Sequence, residues 1–200
     1  MSSPTRERRE VDLRHSLTDA AGLDAETVVL VEGDSDRCAI EAVARRHGQL
    51  LGGVAVVPMG GVTNVRHFVE LFRGRRLAGL YDAAEEGYVR RALVDCGLGA
   101  GSPAALADLG FHACHADLED ELIRALGTGA VEQLVEAVGD LRSFRLFQRQ
   151  PAQQDRPLTR QLHRFIGTRS GRKSHYATLL SGALDPARTP PPLDRLLARL

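Results

Sequence analysis

Acidic side chains recur at three points in this chain where an apolar run ends, a spacing suited to divalent-cation chemistry. Thr27–Asp36 reads TVVLVEGDSD, in which VVLV runs straight into Glu32, then Gly33, then Asp34 and Asp36. Leu77–Asp82 (LAGLYD) repeats the pattern with Glu85 and Glu86 just beyond, and Phe111–Glu119 (FHACHADLE) supplies Asp117 and Glu119. Mg²⁺ takes hard oxygen ligands and keeps waters for a substrate phosphate, so carboxylates gathered from several strand ends meet its needs. Glu32 is the most telling of them. It follows an apolar run without a polar spacer and should be partly buried, where an unpaired carboxylate is costly. Each acid also has a plainer reading. Asp34 and Ser35 suit a helix N-cap, and DLEDEL is an acidic first turn that the helix dipole favours. Three such ends in succession favour a shared cation site.

The elements that must position these acids alternate in type. Thr27–Glu32, Val54–Pro58, Leu77–Tyr81 and Phe111–His115 read as strands. Helical spacing is expected over Asp36–His47, Thr63–Phe72 and Glu85–Cys96, the last ended by Gly97. Strands alternating with helices indicate βαβ units, hence an α/β fold with a mainly parallel four-stranded sheet flanked by helices. In such sheets ligands bind beyond the carboxyl ends of the strands, where these acids fall. Past residue 117 the pattern turns helical: Leu118–Leu126, Val131–Val138, Leu141–Phe147, Leu158–Ile166 and Ser174–Leu184, with a joint near Gln150–Pro157. The final PPPLDRLLARL is a short amphipathic helix suited to docking. We therefore expect a flexible N-terminal arm over 1–22, an α/β domain over 23–128 and a helical C-terminal extension over 129–200.

Composition narrows the classes. Basic and acidic residues balance at 26 each, which argues against bulk electrostatic binding of nucleic acid but leaves room for local patches. Arginines 142, 145, 149, 156, 160, 164, 169 and 172 form one dense stretch that reads either as a solvated helical face or as a guide for a phosphate backbone. Aromatic residues, at 4%, are too sparse for base stacking as the main binding mode. Cys38, Cys96 and Cys114 have no metal-finger spacing and suit a reducing cytoplasm. The N-terminus lacks the apolar centre of a signal peptide, and no apolar run reaches the roughly 18 residues of a membrane span.

Three motifs are set aside. GTRSGRKS (Gly167–Ser174) approaches a P-loop, but Arg172 replaces the second glycine and helical HRFIG precedes it, so no ATP site is expected. Ser170–Lys173 matches S-x-x-K without its companion motifs. His112, Cys114 and His115 fail as a zinc set, because a strand turns His115 to the face opposite the other two.

Taken together, VEGDSD, PMGGVTNV and LYDAAEEG resemble the Toprim domain, the metal-binding module of type IA topoisomerases, primases and nucleases. VEGDSDRCAIEAVA, VPMGG and DLEDELIRALG are further similar to the OLD (overcoming lysogenization defect) family of ATP-dependent endonucleases, here without the ATPase domain. The likeness spans roughly residues 27–185 and implies a Toprim-like, Rossmann-like fold. It implies that Glu32 is a metal ligand or general acid/base, that Asp36 joins the site, and that Asp82 is the first aspartate of a DxD pair. Asp117 and Glu119 match an extra acidic pair that would hold a second Mg²⁺ or Mn²⁺. Lys173, the only lysine, would steady transition-state charge. One position departs from the pattern: Ala84 stands where the second aspartate belongs, so Glu85 or Glu86 must reach in, or the site has fewer ligands. The resemblance implies a Mg²⁺-dependent nucleotidyl transferase or hydrolase cutting nucleic-acid phosphodiesters, DNA ahead of RNA, with an ATPase partner in trans. The rivals are a non-catalytic Toprim module that binds metal, nucleic acid or a partner, and a small-molecule phosphotransfer enzyme on a similar sheet.

Overall fold

The computed structural model describes residues 25–168 and 171–200. The expected arm over 1–22, and with it Arg169 and Ser170, lie outside the described residues.

Four strands form one sheet in the order β2-β1-β3-β4: β1 (Thr27–Val31), β2 (Val54–Pro58), β3 (Arg76–Asp82) and β4 (Phe111–Cys114). Every pairing is parallel. The helices on its faces are α1 (Asp34–Arg46), α2 (Val65–Leu71), α3 (Glu86–Asp95) and α4 (Pro103–Leu109). Further on come α5 (Leu118–Leu126), α6 (Thr128–Ala137), α7 (Leu141–Gln148), α8 (Pro151–Gln154), α9 (Leu158–Ile166), α10 (Arg172–Ala183) and α11 (Pro191–Leu197). The expected α/β architecture is present, a Toprim-like parallel sheet between helical layers with a helical C-terminal part.

β1 is buried along its whole length, as a strand covered on both faces must be. Its residues alternate between two apolar layers. Val29 and Val31 face α1 and the C-terminal helices, whereas Val28 and Leu30 face α2, α3 and α4. The C-terminal helices share one buried cluster with the sheet. Phe144, Leu162, Phe165, Tyr176 and Leu180 all belong to it, and α10 packs along α1. The terminal PPPLDRLLARL does dock, and it docks on its own chain: Leu193, Leu196 and Leu197 are buried where α11 lies against β3 and β4.

Two short helices went unread in the sequence. The first is α4, opened by Ser102, whose hydroxyl accepts from the Ala105 N–H, with Pro103 in its first turn. The second is α8, inside the expected joint, where Pro151 opens a single turn. Packing between β1 and β3 is close at one point: a Cβ on Gly79 would sit 2.6 Å from the Leu30 carbonyl oxygen and 2.9 Å from the Phe111 ring. Only glycine lets these strands approach and align their carboxyl ends.

Candidate metal centre

Because all four strands run the same way, their carboxyl ends share one rim. Glu32 follows β1, Asp82 ends β3 opposite Cys114 of β4, and the Gly60-Gly61 turn follows β2. An open hollow of about 370 Å³ lies at this rim, and Glu32, Asp36, Asp82, Asp117, Glu119 and Lys173 all line it.

Glu32, Asp82 and Glu85 each offer a carboxylate oxygen within 4.8 Å of the others. The chain leaves β3 through a 3₁₀ turn, Ala83–Glu85. In that geometry residues three apart eclipse one another, so Glu85 falls on the side of Asp82 while Ala84 does not. Of the two acids beyond Ala84, Glu85 is the one brought into this group. Its Oε2 is shielded from solvent and has no hydrogen-bond partner, as expected of an oxygen waiting for a cation.

The second group is held differently. Asp36, in the first turn of α1, accepts the Gly33 N–H at 2.9 Å. Asp117 is the N-cap of α5: one oxygen accepts the Asp120 N–H at 2.8 Å and the other meets His163 Nε2 at 2.5 Å. Asp120 and Glu121 are both tied to Arg124, at 2.8 and 2.7 Å. Glu119 alone in this segment is uncommitted. It is 2% exposed, and Lys173 Nζ stands 3.2 Å from its Oε1. Apart from this ion pair, neither Glu119 oxygen has a partner among the described residues.

Burial, and after it the crowding of like charge, shows in the acidities. Burial, reinforced by Asp117, Glu85 and Glu32, raises the Asp82 carboxyl to about 7. Burial also raises Asp36 to about 7, reinforced by Glu119 and opposed by the Gly33 N–H and Lys173. Glu85 is raised by burial and by Glu32. For Asp117 burial works upward, but His163 and the Asp120 N–H together bring it below its ordinary value. His163 is raised in return by its bond to Asp117. Carboxyls held this far up around an open hollow mark a site that a cation would relieve.

The Gly60 and Gly61 N–H groups are engaged within the chain. Both donate to the Glu32 carbonyl, at 2.9 and 3.2 Å, and so fix the backbone that carries the glutamate. A phosphate would meet the bare glycine surface rather than those donors. Among the arginines, Arg172 is a strut: it stacks 4.3 Å from the Phe165 ring centroid and bonds the Phe165 carbonyl. Arg145 pairs with Glu132 at 2.6 Å. Arg142, Arg149, Arg160 and Arg164 are exposed. His112 and Cys114 are buried, and no potential metal group among the described residues includes them. His163 and Arg124 went unread in the sequence. His163 is 46 positions from its partner and carries no local signal.

A parallel β2-β1-β3-β4 sheet with acids converging at its carboxyl rim defines a Toprim-like α/β protein. Residues 24–78 match the family model described as overcoming lysogenization defect protein-like, TOPRIM domain. The C-terminal region of the Burkholderia pseudomallei OLD protein superimposes with a TM-score of 0.65 at 19% identity, covering 87% of this chain and 96% of that one. The C-terminal region of the Xanthomonas campestris pv. campestris OLD protein, in its platinum-phased structure, gives 0.64 at 20% identity, covering 87% and 91%. These likenesses extend the shared fold well past residue 78. No curated protein matches the chain.

Proposed function

We propose that this protein is a divalent-cation-dependent phosphodiester hydrolase or nucleotidyl transferase acting on nucleic acid, DNA ahead of RNA. The observation that carries the reading is the grouping of Glu32, Asp82 and Glu85 within 4.8 Å at the open hollow. Their hard oxygens suit Mg²⁺ or Mn²⁺, and the unpartnered Glu85 Oε2 fits such a group. When bound, the ion supplies Lewis-acid charge at a phosphoryl oxygen. Glu32 and Asp82 hold and orient it from rigid strand ends, and Glu85 closes the set. Asp36 and Glu119 line the opposite wall. Lys173, half exposed at the mouth, is placed to meet a phosphate. The exposed arginines 142, 149, 160 and 164 offer a backbone-guiding surface. No helix among the described residues is long and apolar enough to cross a membrane.

The test is incubation of the pure protein with supercoiled plasmid and Mg²⁺ or Mn²⁺, with Glu32→Gln as control. Nicking that the substitution abolishes supports the reading. Metal binding without nicking moves the assignment to a non-catalytic Toprim module, the reading favoured by Ala84. Turnover of mononucleotides alone moves it to small-molecule phosphotransfer.

A further inference from the structure

We infer that Lys173 supplies, from within the chain, the second positive charge of this centre, so that the resting protein binds one divalent cation tightly and not two. The inference rests on the metal reading above and concerns the wall formed by Asp36, Asp117 and Glu119.

The two acid groups differ in how their charge is met. Among the described residues Glu32, Asp82 and Glu85 form no ion pair with a basic side chain, and one oxygen of each lies within 4.8 Å of the others. In the second group part of that charge is already met from within the chain. Asp36 accepts the Gly33 N–H through one oxygen, and both Asp117 oxygens have partners, the Asp120 N–H and His163. Glu119 is the most deeply buried of the three, with both oxygens shielded and without hydrogen bonds. A carboxylate buried that deeply needs a cation close by. Among the described residues its ion-pair partner is the Lys173 ammonium at 3.2 Å, which also acts electrostatically on Asp36 and Asp117. A divalent ion entering this wall would meet the ammonium at near contact, where like charges repel strongly.

Lys173 suits this part physically. It stands in the first turn of α10 with its side chain half exposed, so the ammonium can swing outward if a second ion or a phosphate arrives. An arginine strut lies beside it: Arg172 is pinned to Phe165, Thr168 and Asp140 and keeps the turn in place.

The experiment counts bound Mn²⁺ by calorimetric titration and electron paramagnetic resonance, without turnover. The wild-type chain should take one Mn²⁺ tightly and show the spectrum of an isolated ion. Lys173→Met should take two, with spin coupling between them, the second site tightening roughly 10- to 100-fold, the usual size of coupling between adjacent sites. Lys173→Gln is a second neutral variant should the thioether disturb the fold. Glu119→Gln added to Lys173→Met should return the count to one. Two ions of comparable affinity in the wild type, or a single ion in both neutral variants, overturns the assignment and leaves the metal reading intact. No ion in any of these proteins would sink the metal reading itself.

Discussion

The two acid groups at the sheet rim carry similar charge and are built in opposite ways. Glu32, Asp82 and Glu85 are set by strand ends and a 3₁₀ turn, and one oxygen of each lies within 4.8 Å of the others. Asp36, Asp117 and Glu119 are set by helix first turns and are met by backbone N–H groups, His163 and Lys173. Strand ends deliver a side chain without supplying it a partner. Helix N-termini bring donors with them, so the same residue type there is partly neutralised before any ligand arrives. An acid near a hollow therefore calls for a cation most strongly where nothing else in the chain meets its charge.

The largest expected effect falls on the unpartnered group. Glu32→Gln or Asp82→Asn should cut plasmid nicking on the order of 10²- to 10³-fold, the usual loss when a charge-stabilising group is removed. An equal loss from Asp36→Asn alone would erase the distinction between the groups. Next is alignment of the rim. Gly79→Ala forces a Cβ against the Leu30 carbonyl and the Phe111 ring, and should cost about 1–3 kcal/mol in urea unfolding, as overpacking does. It should also weaken Mn²⁺ binding, because Glu32 and Asp82 sit on the two strands that are pushed apart.

His163→Ala comes third. It strips Asp117 of its imidazole partner and should lower stability by roughly 1–3 kcal/mol, a range typical of hydrogen bonds to charged groups. The Mn²⁺ held by Glu32, Asp82 and Glu85 should bind as before, and a parallel loss of that ion would show the two groups to be one.

Acidity offers a fourth approach. Asp36 and Asp82 are raised from an ordinary 3.8 to about 7. The unfolded chain ionises them near 3.8, while the folded chain resists until about 7. Their contribution is thus full below the unfolded value and is lost as pH rises through about 7. His163, also raised, acts in the same direction through its own bond to Asp117. Metal-free protein should therefore lose Tm between pH 5 and pH 8, by scanning calorimetry, and Mg²⁺ should restore more of it at pH 8 than at pH 5. A Tm that rises over that interval without metal would contradict the raised acidities of Asp36 and Asp82. The smallest effect belongs to the exposed arginines. Arg160→Ala with Arg164→Ala should weaken DNA binding across all sequences and flatten the salt dependence by about one phosphate each.

Much of this was legible in the chain. Val54–Pro58, Leu118–Leu126 and Leu158–Ile166 fall where periodicity and punctuation put them, because burial on both faces or on one stripe leaves a pattern in sequence. The short helices Pro103–Leu109 and Pro151–Gln154 were missed, since one or two turns leave too little periodicity to read. Glu85 was one of two candidates until the 3₁₀ turn decided between them. His163 had no signal at all.

By itself the sequence determined that apolar strands end in carboxylates and that strands alternate with helices, the pattern of a mainly parallel sheet. Each follows from local covalent order and side-chain alternation. Tertiary structure alone decided which oxygens remain free, because that depends on contacts between residues far apart in the chain. His163 reaches Asp117, Arg124 takes Asp120 and Glu121, and Lys173 comes from the far end of the chain to stand over Glu119.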